Sequence, residues 1–262
     1  MTPLPFFQVD AFSDRPFAGN PAAVMPLDHW LDDAVMQAIG AENNLAETAF
    51  TVPSARDDAD FDLRWFTPTV EMEMCGHATL ASAHILLKGE RIRFSTRSGV
   101  LTVTRDPDDP SFLRLDMPAT QVEPADLPEV IAALGVDGDA FRNRSGNGNA
   151  LVLLKDEDAV RAVRPDFAAL RQLPYLVSVT APGASQDIAS RVFAAHHGIE
   201  EDPVTGAAHT ALVPFWADRL GRNRFSALQA SARGGLLDCE LKGDRVILGG
   251  RAVTVIEGFF QL

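Results

Sequence analysis

Short apolar stretches broken by turn residues run the length of the chain, and most alternate with polar positions at the two-residue spacing of a strand. FFQVDAF (6–12) predicts the first strand, and Ser13-Asp14-Arg15-Pro16 after it is turn chemistry. LDDAVMQAIGAENN (31–44), with Leu31, Val35 and Ile39 near one face, predicts a helix ending near Gly40. Glu47 then opens the apolar strand AFTV (49–52), and residues 53–63 have the look of a hairpin-type connection. RIRFSTRSGVLTVTRD (91–106) predicts two strands turning at Ser98-Gly99, and FLRLDMP (112–118) one more. In the second half a helix is expected near 128–134, a Gly/Asn loop from Asn143 to Asn149, and strands at ALVLLKD, LVSVT, RVILGG and AVTVIEGFFQL. PDFAALRQL reads as a helix. Strands and helices interleave throughout, which places the chain in the mixed α/β class.

One stretch stands apart. WFTPTVEMEMCGHATLASAHILL (65–87) runs from a strand end through an acidic turn to Cys75-Gly76-His77, which opens a helix of small residues. Gly76 lets the backbone come close to a ligand, and the start of a helix leaves about four N–H groups free to hold an anion. The same logic returns 127 positions later. Arg64-Trp65-Phe66 falls on Arg191-Val192-Phe193, and Cys75 falls on Asp202 of EDPVTGAAHTAL. An offset near half the chain predicts two similar domains rather than a solenoid. The expected boundary lies in the Pro-rich stretch after Pro118, giving lobes 1–118 and 119–262, with the last strand able to return to the first lobe. If the lobes are related by a pseudo-twofold axis, the two helix starts face a shared cleft, and that cleft is the expected site.

Composition narrows the function. A formal net charge of −13 with no basic cluster argues against nucleic acid and anionic membrane partners. An apolar content of 46% with no run of roughly 18 apolar residues is that of a soluble globular protein. No signal-peptide pattern is evident, so a cytoplasmic location is expected. Cys75 and Cys239 form no CxxC pair, and His77 and His84 lie about 10 Å apart along one helix, so no metal site is expected.

Several side chains carry two readings. Asn20 in Gly19-Asn20-Pro21 is either a turn former or an amide that reaches a ligand carboxylate. Glu47, flanked by apolar residues, either points to solvent from an edge strand or is a partly desolvated general acid/base. Asp202 is either a helix N-cap or a site residue, with Thr205 and Gly206 at the helix start beside it. Arg233, among small residues, either meets a carboxylate or makes a surface ion pair.

VDAFSDRPFAGNPAAV, NLAETAF, FTP…CGHATLA, EDPVTGAAHTAL and the closing Gly-Gly strand occur in an order that resembles the phenazine-biosynthesis PhzF-like family. The resemblance covers nearly the whole chain and implies the diaminopimelate epimerase fold, two pseudo-symmetric halves each with a mixed sheet around a central helix. It further implies a cofactor-independent isomerase of a small carboxylated metabolite, and a homodimer. Glu47 would move the proton, with His77 and Asp202 as the other catalytic residues and Gly76 and Gly206 holding the substrate. Where the phenazine enzyme has Ser after the second Thr-Gly, this chain has Ala207, which removes a hydroxyl expected to touch substrate. Two other readings stay open: an amino-acid epimerase using Cys75 with Asp202 or Glu47, and a non-catalytic binding protein on the same fold.

Overall fold

The computed structural model describes residues 3–143 and 148–262, so most of the expected loop from Asn143 to Asn149 lies outside the described residues. The chain divides into two compact units, 1–117 with 249–262 and 118–248.

The first unit contains β1 (Pro3–Ala11), β2 (Asn20–Pro26), α1 (Asp33–Asn43), β3 (Glu47–Pro53), β4 (Phe61–Phe66), β5 (Glu71–Met72), α2 (Gly76–Leu86), β6 (Arg91–Thr96), β7 (Gly99–Arg105) and β8 (Leu113–Pro118). The second contains β9 (Val122–Pro124), α3 (Pro128–Leu134), β10 (Asp139–Asn143), β11 (Gly148–Leu153), α4 (Glu157–Ala162), α5 (Phe167–Leu170), β12 (Tyr175–Pro182), β13 (Ile188–Ala194), a 3-10 turn at Ala195–His197, β14 (Ile199–Asp202), α6 (Gly206–Leu220), β15 (Arg224–Gln229), β16 (Gly235–Lys242) and β17 (Arg245–Gly250). The closing strand β18 (Ala252–Gln261) pairs antiparallel with β1, so it belongs to the first unit.

The two units repeat one succession of strands. In the first, β18-β1-β2-β3-β4-β6-β7 joins by antiparallel, antiparallel, parallel, antiparallel, parallel and antiparallel ladders. In the second, β9-β10-β11-β12-β13-β15-β16 joins by the same succession. Each parallel pair needs a crossover, and each unit puts a helix there. β3 shows the result: with a strand at each edge and both α1 and α2 packed against it, Glu47 to Val52 are all buried. A strand covered on both faces reads as a continuous apolar run, which is the pattern of AFTV.

α2 is buried all round from Gly76 to Ala83 and packs on β1, β2, β3 and β18. Its small side chains allow this, because a helix enclosed by a sheet has no polar face to spare. α6 is its counterpart, buried from Ala208 to Ala217 despite Pro214 in its middle. Proline cannot donate to the carbonyl four residues back. That carbonyl, on Thr210, instead accepts from the Thr120 N–H at 2.9 Å, so no buried acceptor is orphaned there.

α1 departs from the sequence expectation. It continues past Gly40 to Asn43, and Asn44 ends it in the left-handed conformation. Gly40 is not a stop signal but a contact: a Cβ there would lie 3.1 Å from the Thr67 carbonyl oxygen and 3.2 Å from the Phe66 Cβ. α4 was not expected, although Asp156 caps it by accepting from the Ala159 N–H.

Candidate active site

Four of the expected residues meet in the first unit. Glu47 is the first residue of β3, Asn20 the first of β2, Cys75 the N-cap of α2 and His77 its second residue. The parallel register sets Ala22 beside Glu47, so Asn20, two residues earlier on the same face, sits at the same end of the strand pair. Glu47 is 7% exposed and His77 2%, so the inward reading of Glu47 holds and the solvent-edge reading does not.

His77 Nε2 lies 3.1 Å from Glu47 Oε2, close enough for an ion pair, yet neither atom has an aligned hydrogen-bond partner. On the other side of the ring, Nδ1 is 3.1 Å from Asn20 Nδ2 and 3.5 Å from Cys75 Sγ. An Asn side chain presents its nitrogen to an unprotonated Nδ1 and its oxygen to a protonated one, so the amide follows the ring's charge. Burial works against charge on His77, but the Cys75 sulfur and Glu47 carboxylate outweigh it and hold the imidazole well above the usual histidine range. Burial, reinforced by Glu47, pushes the Cys75 thiol up to about 11.

Gly76 is buried as the first helical residue and has no positive φ, so its backbone does not demand glycine. Cys75 makes no side-chain cap, which leaves the first-turn N–H groups of α2 without that partner. Glu47, Cys75 and His77 each offer one ligand atom, all within 4.8 Å of one another.

Asp202, Thr205, Gly206 and Arg233 belong to the second unit. Asp202 is not the N-cap of α6, since Thr205 holds that position. Instead, the Asp202 carboxylate accepts from the Thr205 hydroxyl at 2.5 Å. Gln229, fully buried at the end of β15, ties this corner together: its amide nitrogen donates to the Asp202 carbonyl and the Thr205 hydroxyl, and its oxygen accepts from the Thr205 N–H. Arg233 is half-buried on the connection after β15, which Ser231 fastens by donating to the Pro203 carbonyl at 2.8 Å.

The pairing of Cys75 with Asp202 by a constant 127-residue offset is corrected by strand register. Trp65 pairs with Met72 and Val192 with Asp202, so the counterpart of Asp202 is Met72. Ten positions separate Val192 from Asp202 where seven separate Trp65 from Met72, because the 3-10 turn Ala195–His197 lengthens the second connection. From there the offset is 130, which matches Gly76 with Gly206 and Cys75 with Thr205. Register likewise sets Glu47 against Leu176, since Thr48 pairs with Phe66 as Val177 pairs with Phe193. The buried carboxylate occurs in one copy only.

Sequence reading missed Gln229 and His209. Gln229 occupies an inward position of RFSALQ in phase with Phe225 and Ala227, a buried polar residue where an apolar one is the rule. His209 Nδ1 donates to the Thr205 carbonyl at 2.8 Å, and burial lowers the imidazole to about 4. Unfolding therefore takes up a proton between about pH 6.5 and 4, and stability present above that window is lost as pH falls through it, by about 3 kcal/mol. Denaturant unfolding of wild type and His209→Gln at pH 7.5 and pH 4.5 reads this directly, because the variant lacks that slope. A cavity of about 290 Å³ lined by Val122, Phe141, Phe215 and Arg219 contains none of the candidate residues.

Comparison with known proteins places the chain. The profile of phenazine biosynthesis-like proteins matches residues 9–258. An uncharacterised isomerase of Pseudomonas aeruginosa is 48% identical over 266 residues, covering 99% of each chain. The crystal structure of a phenazine biosynthesis protein of this type from Enterococcus faecalis superimposes with a TM-score of 0.90 at 44% identity over the whole of both chains. A probable proline racemase from Agrobacterium radiobacter shares the fold alone, at 13% identity and a TM-score of 0.66 over 99% of this chain and 93% of its own.

Proposed function

This chain belongs to the phenazine biosynthesis-like protein family, a family of isomerases, and on that premise we propose that Glu47 transfers a proton between two carbons of a small carboxylated metabolite. The observation that carries this reading is the setting of Glu47. Its carboxylate is buried, faces His77 across 3.1 Å, and keeps an oxygen without an aligned hydrogen-bond partner. A carboxylate so placed is poised as a general base, because little solvent has to be removed before it meets a C–H group.

The step balances within the substrate. The C–H bond breaks, its electron pair shifts into a new double bond as the existing one moves along, and Glu47 returns the proton to the carbon at the far end. His77 and the first-turn N–H groups of α2 stabilise the charge that develops on the way. Asp202, Thr205 and Gly206 are assigned substrate contacts of their own, and Gly76 a backbone contact to the carboxylate. Arg233 is assigned charge pairing with an anionic group. No cofactor enters this scheme. Ala207 leaves a hydroxyl out of the second helix start, which favours a substrate other than the phenazine precursor.

The test is incubation of the protein in D2O with a fractionated metabolite extract, read by mass spectrometry. One carboxylated compound should gain deuterium at carbon and change retention time without changing composition; uptake by none would remove the reading. A homodimer is part of the same proposal, supported by Ile256 and Phe259 standing exposed on β18 at 50% and 67%. Light scattering should give twice the chain mass of 28.3 kDa, and Phe259→Asp should halve it.

A further inference from the structure

Gln229 has no exposed surface, so each atom of its amide needs a partner, and each has one. The Thr205 N–H can only donate and the Asp202 carbonyl can only accept, which fixes the amide: Oε1 faces the first at 2.8 Å and Nε2 the second at 2.7 Å. The other Nε2 hydrogen goes to the Thr205 hydroxyl oxygen at 3.1 Å. A hydroxyl that accepts there has one hydrogen of its own to give, and Asp202 Oδ2 stands 2.5 Å away. That is the length of a hydroxyl donating to an ionised carboxylate.

Two of the three bonds from Gln229 hold backbone, and a structural staple needs no more. Ser231 already fastens the same segment by donating to the Pro203 carbonyl, and the Ala230 N–H donates to the Ser190 carbonyl at 2.7 Å. The third bond serves a side chain. The duplication shows that the fold does not require it. Strand register matches Gln229 with Thr96, since Ile188 pairs with Ala227 as Phe61 pairs with Phe94. Thr96 turns its hydroxyl to the Gly99 carbonyl, and Met72 and Cys75 stand where the second unit has Asp202 and Thr205. The amide and the carboxylate it reaches occur together, in one unit.

From this geometry we infer that Gln229 is a positioning residue for Asp202 and acts on it through Thr205. By donating to Oγ1 it directs the Thr205 hydrogen onto Oδ2, which fixes the rotamer of the carboxylate and makes Asp202 an acceptor for a donor group of the substrate. Both Thr205 donors are then committed, its N–H to Gln229 and its hydroxyl to Asp202, so its own substrate contact falls to its methyl group. The hydrogen-bond chain stands by itself, and its bearing on turnover rests on the proton-transfer reading above.

Neutron diffraction from deuterium-exchanged crystals of the full chain decides the hydrogen-bond chain without any substrate. It should show the Thr205 deuterium directed at Asp202 Oδ2 and a Gln229 deuterium directed at Thr205 Oγ1; a Thr205 deuterium directed elsewhere overturns the proposal. Kinetics with the compound that takes up deuterium in D2O decide its use. Gln229→Met, close in length and without donors, should raise KM about tenfold while kcat changes by less than about threefold. Thr205→Val should do the same, and Thr205→Ser, which restores the hydroxyl, should keep the native KM. The double variant Gln229→Met with Thr205→Val should be no worse than either alone, because both cut one chain. A staple would behave otherwise: Gln229→Met would lower the unfolding midpoint with KM unchanged. Native KM in Thr205→Val overturns the positioning role, so the Thr205 pair decides even where Gln229→Met does not fold. If no compound exchanges deuterium, the proton-transfer reading fails and the diffraction result still decides the chain.

Discussion

Glu47→Gln should abolish deuterium transfer to the substrate identified in D2O while leaving the fold intact. Glutamine keeps the length and planarity of the side chain and removes the only function in question, the capacity to accept and return a proton. General acid–base catalysis typically contributes about 10²–10⁴-fold, and a residue that performs both halves of a proton relay should fall at the upper end. Substrate affinity should change far less than turnover, because the amide can still be accommodated beside His77. The measurement is single-turnover deuterium incorporation by wild type and variant, with thermal unfolding as the control for structure. Exchange at the native rate in a correctly folded variant would move the proton-transfer role away from residue 47. The register supports the asymmetry this implies: the matching position of the second unit is Leu176, which cannot take over.

Gly19→Ala should be the most destabilising single-methyl addition near the site. Gly19 has φ of +68°, the left-handed region, and an added Cβ would stand 2.1 Å from the carbonyl oxygen of Ala11 and 2.9 Å from the Cβ of Ser13. The left-handed conformation alone disfavours an L-residue by about 1–2 kcal/mol. A backbone oxygen cannot rotate away as a side-chain tip can, so the turn has to open, and a total of about 3–5 kcal/mol is expected. Opening it moves the next residue. Asn20 pairs with Ala11 across the β1–β2 hairpin and reaches His77, so the cluster should loosen together with the turn. Denaturant unfolding reads the first effect. The second appears as slower deuterium transfer in whatever fraction remains folded, and a variant with native midpoint and native rate would contradict both.

Much of this could be read from the residues themselves. Periodicity places β1, β3, the hairpin of β6 and β7, α3 and β18, because each carries its own alternation or helical face. The Arg64–Phe66 and Arg191–Phe193 match exposes the duplication, and the mixed α/β class with a diaminopimelate epimerase-like fold follows from the ordered motifs. Helix ends were less legible. Gly40 looks like a terminator, and only its contact with Thr67 and Phe66, distant in sequence, explains it.

What the sequence by itself determined was the repertoire: which segments alternate, where chains of small residues make enclosed helices, and which side chains can carry protons or meet anions. Local pattern suffices for that, since propensity and periodicity act over a few residues. Only tertiary structure decided the direction of Glu47, left open between core and solvent until α2 packed on β3 and brought His77 against it. It alone showed that Asn20 holds His77, that Gln229 ties Asp202 to Thr205, and that the two helix starts differ by 130 positions rather than 127. These are pairings between strands and helices far apart in the chain, and such contacts are fixed by the competition to bury whole faces at once, which no short stretch records.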